Sequence, residues 1–243
     1  MRTMRYANQS EGLAMQIPVA STYLSGRLAL VEHARGLVII ANGDGDHLYD
    51  ETNQFVARRL LEAGFATLVV DLLTPGEAAE DAESSELRFH QSLLASRLVK
   101  VTQWLRSRPL FRDLEIGYFA SGLCAGAALA AASVGANVRA VVCRGARVDL
   151  VVPQLHRVRA GVLLLVGERD TAHIAESRGA YWLLPESARL EVVPNAGHLL
   201  DDPDALDRVA CEAEHWFGET LDANPSAIDV IDVIDGMLAG VPA

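Results

Sequence analysis

Gly122-Leu123-Cys124-Ala125-Gly126 leads directly into the small-residue run Ala127-Ala128-Leu129-Ala130-Ala131-Ala132. Residues 114–119 in front of it read as a short buried strand, and the alanines behind it read as a helix whose small side chains let it lie close to a sheet. A G-x-C-x-G pattern at such a junction puts Cys124 on a strand-to-helix turn. There one side chain stands above the sheet edge and the first amides of a helix point at it. A helix N-terminus favours thiolate over thiol. The alternative left open by five residues alone is a small, inert core cysteine.

Downstream, residues 138–143 and 161–166 are further apolar runs that read as strands, and the gap between them is too short to hold a lid domain. Residues 172–184 read as helix, 190–193 as the last strand, and 203–217 as a closing helix with Pro203 at its start. Upstream, Gly36-Leu37-Val38-Ile39-Ile40-Ala41 is a continuous apolar run, the mark of a strand covered on both faces, and it ends in the loop Asn42-Gly43-Asp44-Gly45-Asp46-His47. A helix over 51–63 closed by Gly64, and a buried strand over 66–71, follow. Residues 72–85 carry Pro75, Gly76 and the acids Glu77, Glu80, Asp81 and Glu83, with Glu86 beside them, and read as an exposed loop. A helix over 87–107 is stopped by Pro109. Near the N-terminus, residues 13–19 and 28–31 read as an antiparallel strand pair, with Ser25-Gly26 as a turn near the second.

Alternation of strand and helix from Gly36 to Phe217 defines an α/β protein: a mostly parallel, doubly wound sheet with helices on both faces and an antiparallel N-terminal edge. Residues 1–217 form one domain in this reading. The tail, 218–243, spaces apolar residues helically across Ile228-Asp229-Val230-Ile231-Asp232-Val233-Ile234-Asp235. It docks as a short amphipathic helix, joins two copies as a homodimer, or frays.

Composition narrows the partners. The 243 residues are 50% hydrophobic, enough for a sizeable core, and carry a formal net charge of −11. That charge disfavours nucleic acid and anionic membranes and leaves a small molecule as the expected partner. The first residues have no apolar segment behind their basic ones, and no stretch approaches membrane-spanning length, so a cytoplasmic protein is expected. Cys124, Cys143 and Cys211 show neither C-x-x-C nor Cys/His ligand spacing, so they are expected as thiols, with no disulfide framework and no metal site.

Two loops turn Cys124 into part of a constellation. The strand ending at Val166 runs into Gly167-Glu168-Arg169-Asp170, and the last strand runs into Pro194-Asn195-Ala196-Gly197-His198. Both lie at strand C-terminal ends, as Cys124 does. Histidine is needed to take the thiol proton and pass it on, and aspartate to hold the imidazole in one tautomer and stabilise its cation. Taken singly, Asp170 reads equally as a helix cap and His198 as a surface loop residue. Arg144, just past the strand ending at Cys143, is placed to bind a substrate carboxylate or phosphate, or else to pair with Asp149. Arg88 carries the same ambiguity. Ser121 is a rival nucleophile.

The order nucleophile, acid, histidine is that of α/β-hydrolases. From about Gly36 to Phe217 the chain resembles a lid-less α/β-hydrolase of the dienelactone hydrolase-like family, on the strength of Gly122-Leu-Cys-Ala-Gly126, Gly167-Glu-Arg-Asp170 and Asn195-Ala-Gly-His198. It is also similar to hydrolase domains beside or fused to phosphoribosyltransferases. The resemblance implies cofactor-independent cleavage of an ester, lactone or thioester by Cys124, His198 and Asp170 through an acyl-enzyme. It implies an oxyanion hole from the amides of Asp44 and Ala125, with Asn42 and Gly43 beside the substrate. Two departures stand out: Asn42-Gly43 replaces the family's His-Gly, and the segment from Gly117 to Cys124 is about two residues longer than in the family, a count that comes from the resemblance and not from the turn rules. They leave two other expectations in play, a catalytically silent fold used as a binding module and a thiol sensor.

Overall fold

The structure is a computed structural model, and residues 12–43 and 47–221 of it are described. Eight strands form one sheet: β1 (Leu13–Val19), β2 (Thr22–Ala29), β3 (Leu37–Asn42), β4 (Ala66–Asp71), β5 (Ile116–Ser121), β6 (Ala140–Arg144), β7 (Gly161–Gly167) and β8 (Arg189–Val193). Their order across the sheet is β1-β2-β4-β3-β5-β6-β7-β8. β1 and β2 are antiparallel, β2 meets β4 antiparallel, and every later pair is parallel. The helices are α1 (Glu51–Glu62), α2 (Pro75–Ser84), α3 (Gln91–Arg106), α4 (Gly122–Ser133), α5 (Val152–Leu155), α6 (Thr171–Tyr181) and α7 (Pro203–Leu221).

The apolar run at β3 is buried at all six positions, and its alternate residues serve two cores. Leu37, Ile39 and Ala41 face α3 and α4, whose Leu94, Leu98, Val101, Ala125 and Leu129 fill that side. Val38 and Ile40 face α1 and α7 through Val56, Leu60, Val209 and Phe217. Two covered faces therefore replace the polar alternation of a half-exposed strand. Each large side chain so removed from water contributes roughly 1.5–3 kcal/mol.

Two local expectations change. β2 starts at Thr22, so Ser25 and Gly26 lie inside a strand and the turn falls at Ala20-Ser21, where Ala20 takes a φ of 52°. The closing helix runs past Phe217 to Leu221, which is fully buried. The tail reading at 228–235 lies outside the described residues.

The acidic segment after β4 is the larger correction, because it is a helix and not an exposed loop. Thr74 caps α2 in a reciprocal capping box with Glu77, and Pro75 sits at its first turn. Asp81 is 1% exposed and takes the Arg88 guanidinium (Nε–Oδ2 2.5 Å) and the Arg88 amide (3.0 Å). Glu77 receives both ends of the Arg97 fork at 2.6 and 2.7 Å. Acids that read as solvated are the cross-links that fasten α2 to α3 and the turn before it.

Candidate active site

The C-terminal edge of the parallel strands carries a cleft of about 250 Å³ lined by Asn42, Gly43, Cys124, Arg144, His198 and Asp201, among others. In an open α/β sheet this is the edge at which ligands bind. Cys124 is 5% exposed, and a Cβ on Gly43 would overlap its Sγ, so the sulfur lies directly against the end of β3.

His198 reaches the cleft on the loop after β8. Its Nδ1 lies 2.6 Å from Asp170 Oδ2, and Asp170 stands at the end of β7 as the N-cap of α6. One carboxylate both caps the helix and contacts the histidine ring. Gly145 fixes the height of the loop. Its φ is +55°, and a Cβ there would come within 2.5 Å of the His198 carbonyl oxygen. Only glycine fits that approach.

Sequence reasoning missed His173. Its Nδ1 lies 2.7 Å from Asp170 Oδ1, and its ring stacks on that of His198 with centroids 4.2 Å apart. The available signal was the i, i+3 spacing from Asp170, which puts both on the first turn of a helix. Burial alone would push the Asp170 carboxyl up, but hydrogen bonds from His173 and His198 outweigh it and hold the group below its ordinary range. Among the described residues, Asp170, His173 and His198 are also the group whose donor atoms are close enough, within 4.8 Å of one another, to share a metal ion.

The bend at the nucleophile turn falls elsewhere than the sequence pattern indicates. α4 starts at Gly122, whose φ is +54°, and Cys124 is already in the helix's first turn. The strained position of the strand-to-helix turn is thus Gly122. A helix that begins here also commits the Ala125 amide to the Ser121 carbonyl in the regular ladder, so Ala125 is not a free oxyanion donor. The amides of Gly122, Leu123 and Cys124 precede the ladder, and Ser121 makes no side-chain cap to them. Asp44 lies outside the described residues.

Other expected residues divide. Asn42 lines the cleft, but its side chain donates to Asp71 Oδ1 (3.2 Å) and accepts from the Gly43 amide (3.2 Å), so it shapes the end of β3. Arg88 is spent on Asp81 and does not line the cleft, which removes it from the substrate-binding set. Arg144 does line it. It is 8% exposed, donates from one Nη to Thr52 Oγ1 at 3.4 Å, and leaves Nε and the other Nη without a hydrogen-bond partner. Burial lowers its affinity for the proton, opposed by the charges of Asp50 and Asp201. Asp149 pairs with Arg147 instead.

An eight-stranded, mostly parallel sheet with this order, and with an acid–histidine pair at its C-terminal edge, defines an α/β-hydrolase fold. The family model of the dienelactone hydrolase family matches residues 24–216. The chain belongs to that family. A dienelactone hydrolase from Anabaena variabilis is 42% identical in sequence and superposes with a TM-score of 0.83 over 86% of this chain and 97% of its own. Est1E from Butyrivibrio proteoclasticus, 16% identical, shares the fold with a TM-score of 0.67 over 85% of this chain and 98% of its own. A Mycobacterium tuberculosis protein named "Putative phosphoribosyl transferase" is 42% identical over 208 residues, 85% of this chain and 46% of its own. The chain thus spans about half the length of that relative.

No helix among the described residues is long and apolar enough to cross a membrane.

Proposed function

We propose that the chain hydrolyses a carboxylic ester, lactone or thioester, with Cys124 as nucleophile, His198 as general base and acid, and Asp170 as the group that orients His198. The observation that carries this reading is the shared cleft: Cys124 and His198 line it together, and Asp170 holds the far nitrogen of the imidazole. With Nδ1 so held, Nε2 is the ring nitrogen left to take the thiol proton. The thiolate attacks the carbonyl carbon, and the amides at the start of α4, with that of Asp44, hold the oxyanion. Collapse expels the alcohol or thiol, which takes the proton from His198, and leaves an acyl-enzyme that water cleaves. Arg144 gives the acyl portion of the substrate a cation to meet. No cofactor enters the scheme.

Short activated esters test it. Cys124→Ala and His198→Ala are each expected to lower turnover of p-nitrophenyl acetate at least a hundredfold, with unchanged circular dichroism. Wild-type rates in both variants would rule the mechanism out. Glycine at the bend favours a second reading, a binding module without catalysis. Under that reading the wild-type protein hydrolyses none of a panel of short-chain esters, lactones and thioesters, yet still binds a small molecule in the cleft.

A further inference from the structure

His173 and His198 stand face to face over one carboxylate. Their rings stack with centroids 4.2 Å apart and 29° between planes, and both turn Nδ1 to Asp170, at 2.7 Å from Oδ1 and 2.6 Å from Oδ2. The mechanism uses His198 and Asp170 and gives His173 no task. One donor atom from each of the three lies within 4.8 Å of the others. Two imidazole nitrogens and a carboxylate oxygen are a set that zinc accepts, with water as fourth ligand, whereas magnesium and calcium prefer oxygen. Zinc bonds of 2.0–2.2 Å set tetrahedral donors about 3.4 Å apart, so the two short hydrogen bonds open by roughly 0.7 Å to admit the ion. Entry is open, since the His198 side chain is 36% exposed at the cleft. The N-terminal end of α6 disfavours a cation, and the charges of Asp170 and of Glu176, whose Oε2 lies 3.9 Å from His173 Nε2, counter that effect. Linear ligand spacing hides such a site, because His198 joins it from a loop 28 residues after Asp170.

We propose that Asp170, His173 and His198 form a zinc site, and that zinc bound there switches the cleft off. Only the second part rests on the catalytic reading above. A neutral imidazole carries one N–H and one lone pair, so an ion on Nδ1 leaves the ring proton on Nε2. His198 then presents an N–H to the cleft where a base must present a lone pair, and Asp170 is held by the ion. Removing the zinc returns the carboxylate to Nδ1 and the lone pair to Nε2.

Calorimetric titration with zinc chloride tests the site without any substrate. One zinc per chain is expected to bind wild type and Cys124→Ala with the same affinity, and His173→Ala at least tenfold more weakly. His173→Gln, which keeps a donor for Asp170 but offers zinc no imidazole, is the second variant and is expected to weaken binding alike. Undiminished affinity in both His173 variants, or no binding to wild type, would overturn the site. Loss of binding in Cys124→Ala would put the ion on the thiol and overturn it as well. Turnover of p-nitrophenyl acetate tests the switch: saturating zinc is expected to lower the wild-type rate at least tenfold, reversibly with EDTA. In His173→Gln, measured against its own metal-free rate, half inhibition is expected to need at least tenfold more zinc. Full turnover by the zinc-loaded wild type would overturn the switch and leave the site standing. If metal-free wild type cleaves no ester, the catalytic reading and the switch fall together, and the calorimetry still decides the site.

Discussion

Asp170→Asn is expected to lower ester turnover by a factor on the order of 10³–10⁴ while leaving the protein folded. The size follows from what the carboxylate does for His198. In the proposed mechanism the carboxylate, 2.6 Å from Nδ1, accepts the ring proton there, leaves Nε2 basic, and offsets the positive charge the ring acquires. An amide at the same place can turn its NH₂ group to Nδ1 and so put the ring proton on Nε2, the nitrogen that must act as base. In the serine-protease triad the same change costs about 10⁴ in kcat. Stability should move far less than turnover, because asparagine caps helices as well as aspartate, so α6 keeps its N-cap and only the charged bonds to His173 and His198 weaken. A steady-state assay beside a urea titration separates the two effects. Equal turnover in variant and wild type would remove Asp170 from the mechanism.

Arg97→Ala is expected to destabilise the fold by about 2–3 kcal/mol, the largest effect foreseen away from the cleft. Arg97 is 7% exposed and donates to Glu77 through both ends of its fork, and to the Leu72 carbonyl at 2.7 Å. Truncation strands a Glu77 carboxylate that is only 29% exposed. Breaking a fully buried pair costs roughly 3–5 kcal/mol, and the partial access of Glu77 to water reduces that here. At about 2–4 °C per kcal/mol in a domain of this size, the melting temperature should fall by roughly 4–12 °C.

The same pair sets an acid limb. The Arg97 hydrogen bonds, opposed by burial and helped by Thr74, bring Glu77 down to about 2. A depressed carboxyl contributes stability that is complete above its unfolded value, about 4.3, and lost as pH falls toward the folded value. Between pH 5 and pH 2 the wild type should therefore lose stability faster than Arg97→Ala. Parallel denaturation midpoints for the two proteins across that range would refute the assignment.

Much of the frame was legible because burial on two faces writes itself as an uninterrupted apolar run. β3, β4 and β7 were all read that way, and the loops after β7 and β8 then located Asp170 and His198 by position alone. α2 escaped that logic. Its residues Pro75 to Ser84 carry no apolar stripe, and its hold on the molecule comes from Arg88 just beyond it and from Arg97 on the next helix. The Thr74-Pro75-Gly76-Glu77 capping box was the local sign that outweighed Pro and Gly as loop markers. Arg88, read as a candidate for substrate, is explained by the same helix.

At the cysteine turn, residue order alone specifies a small-residue helix behind a buried strand and a thiol close to the junction. The pattern G-x-C-x-G could not say which residue takes the bend, since residues 122 to 126 satisfy the motif whether the helix starts before or after Cys124. Packing in three dimensions settles it. The packing that starts α4 at Gly122 puts the positive φ on the residue without a side chain and commits the Ala125 amide to the helix. It also seats the Cys124 sulfur against Gly43. The physical reason is that a motif records spacing along the chain, whereas a bend and the donors it frees depend on where the helix's hydrogen-bond ladder begins.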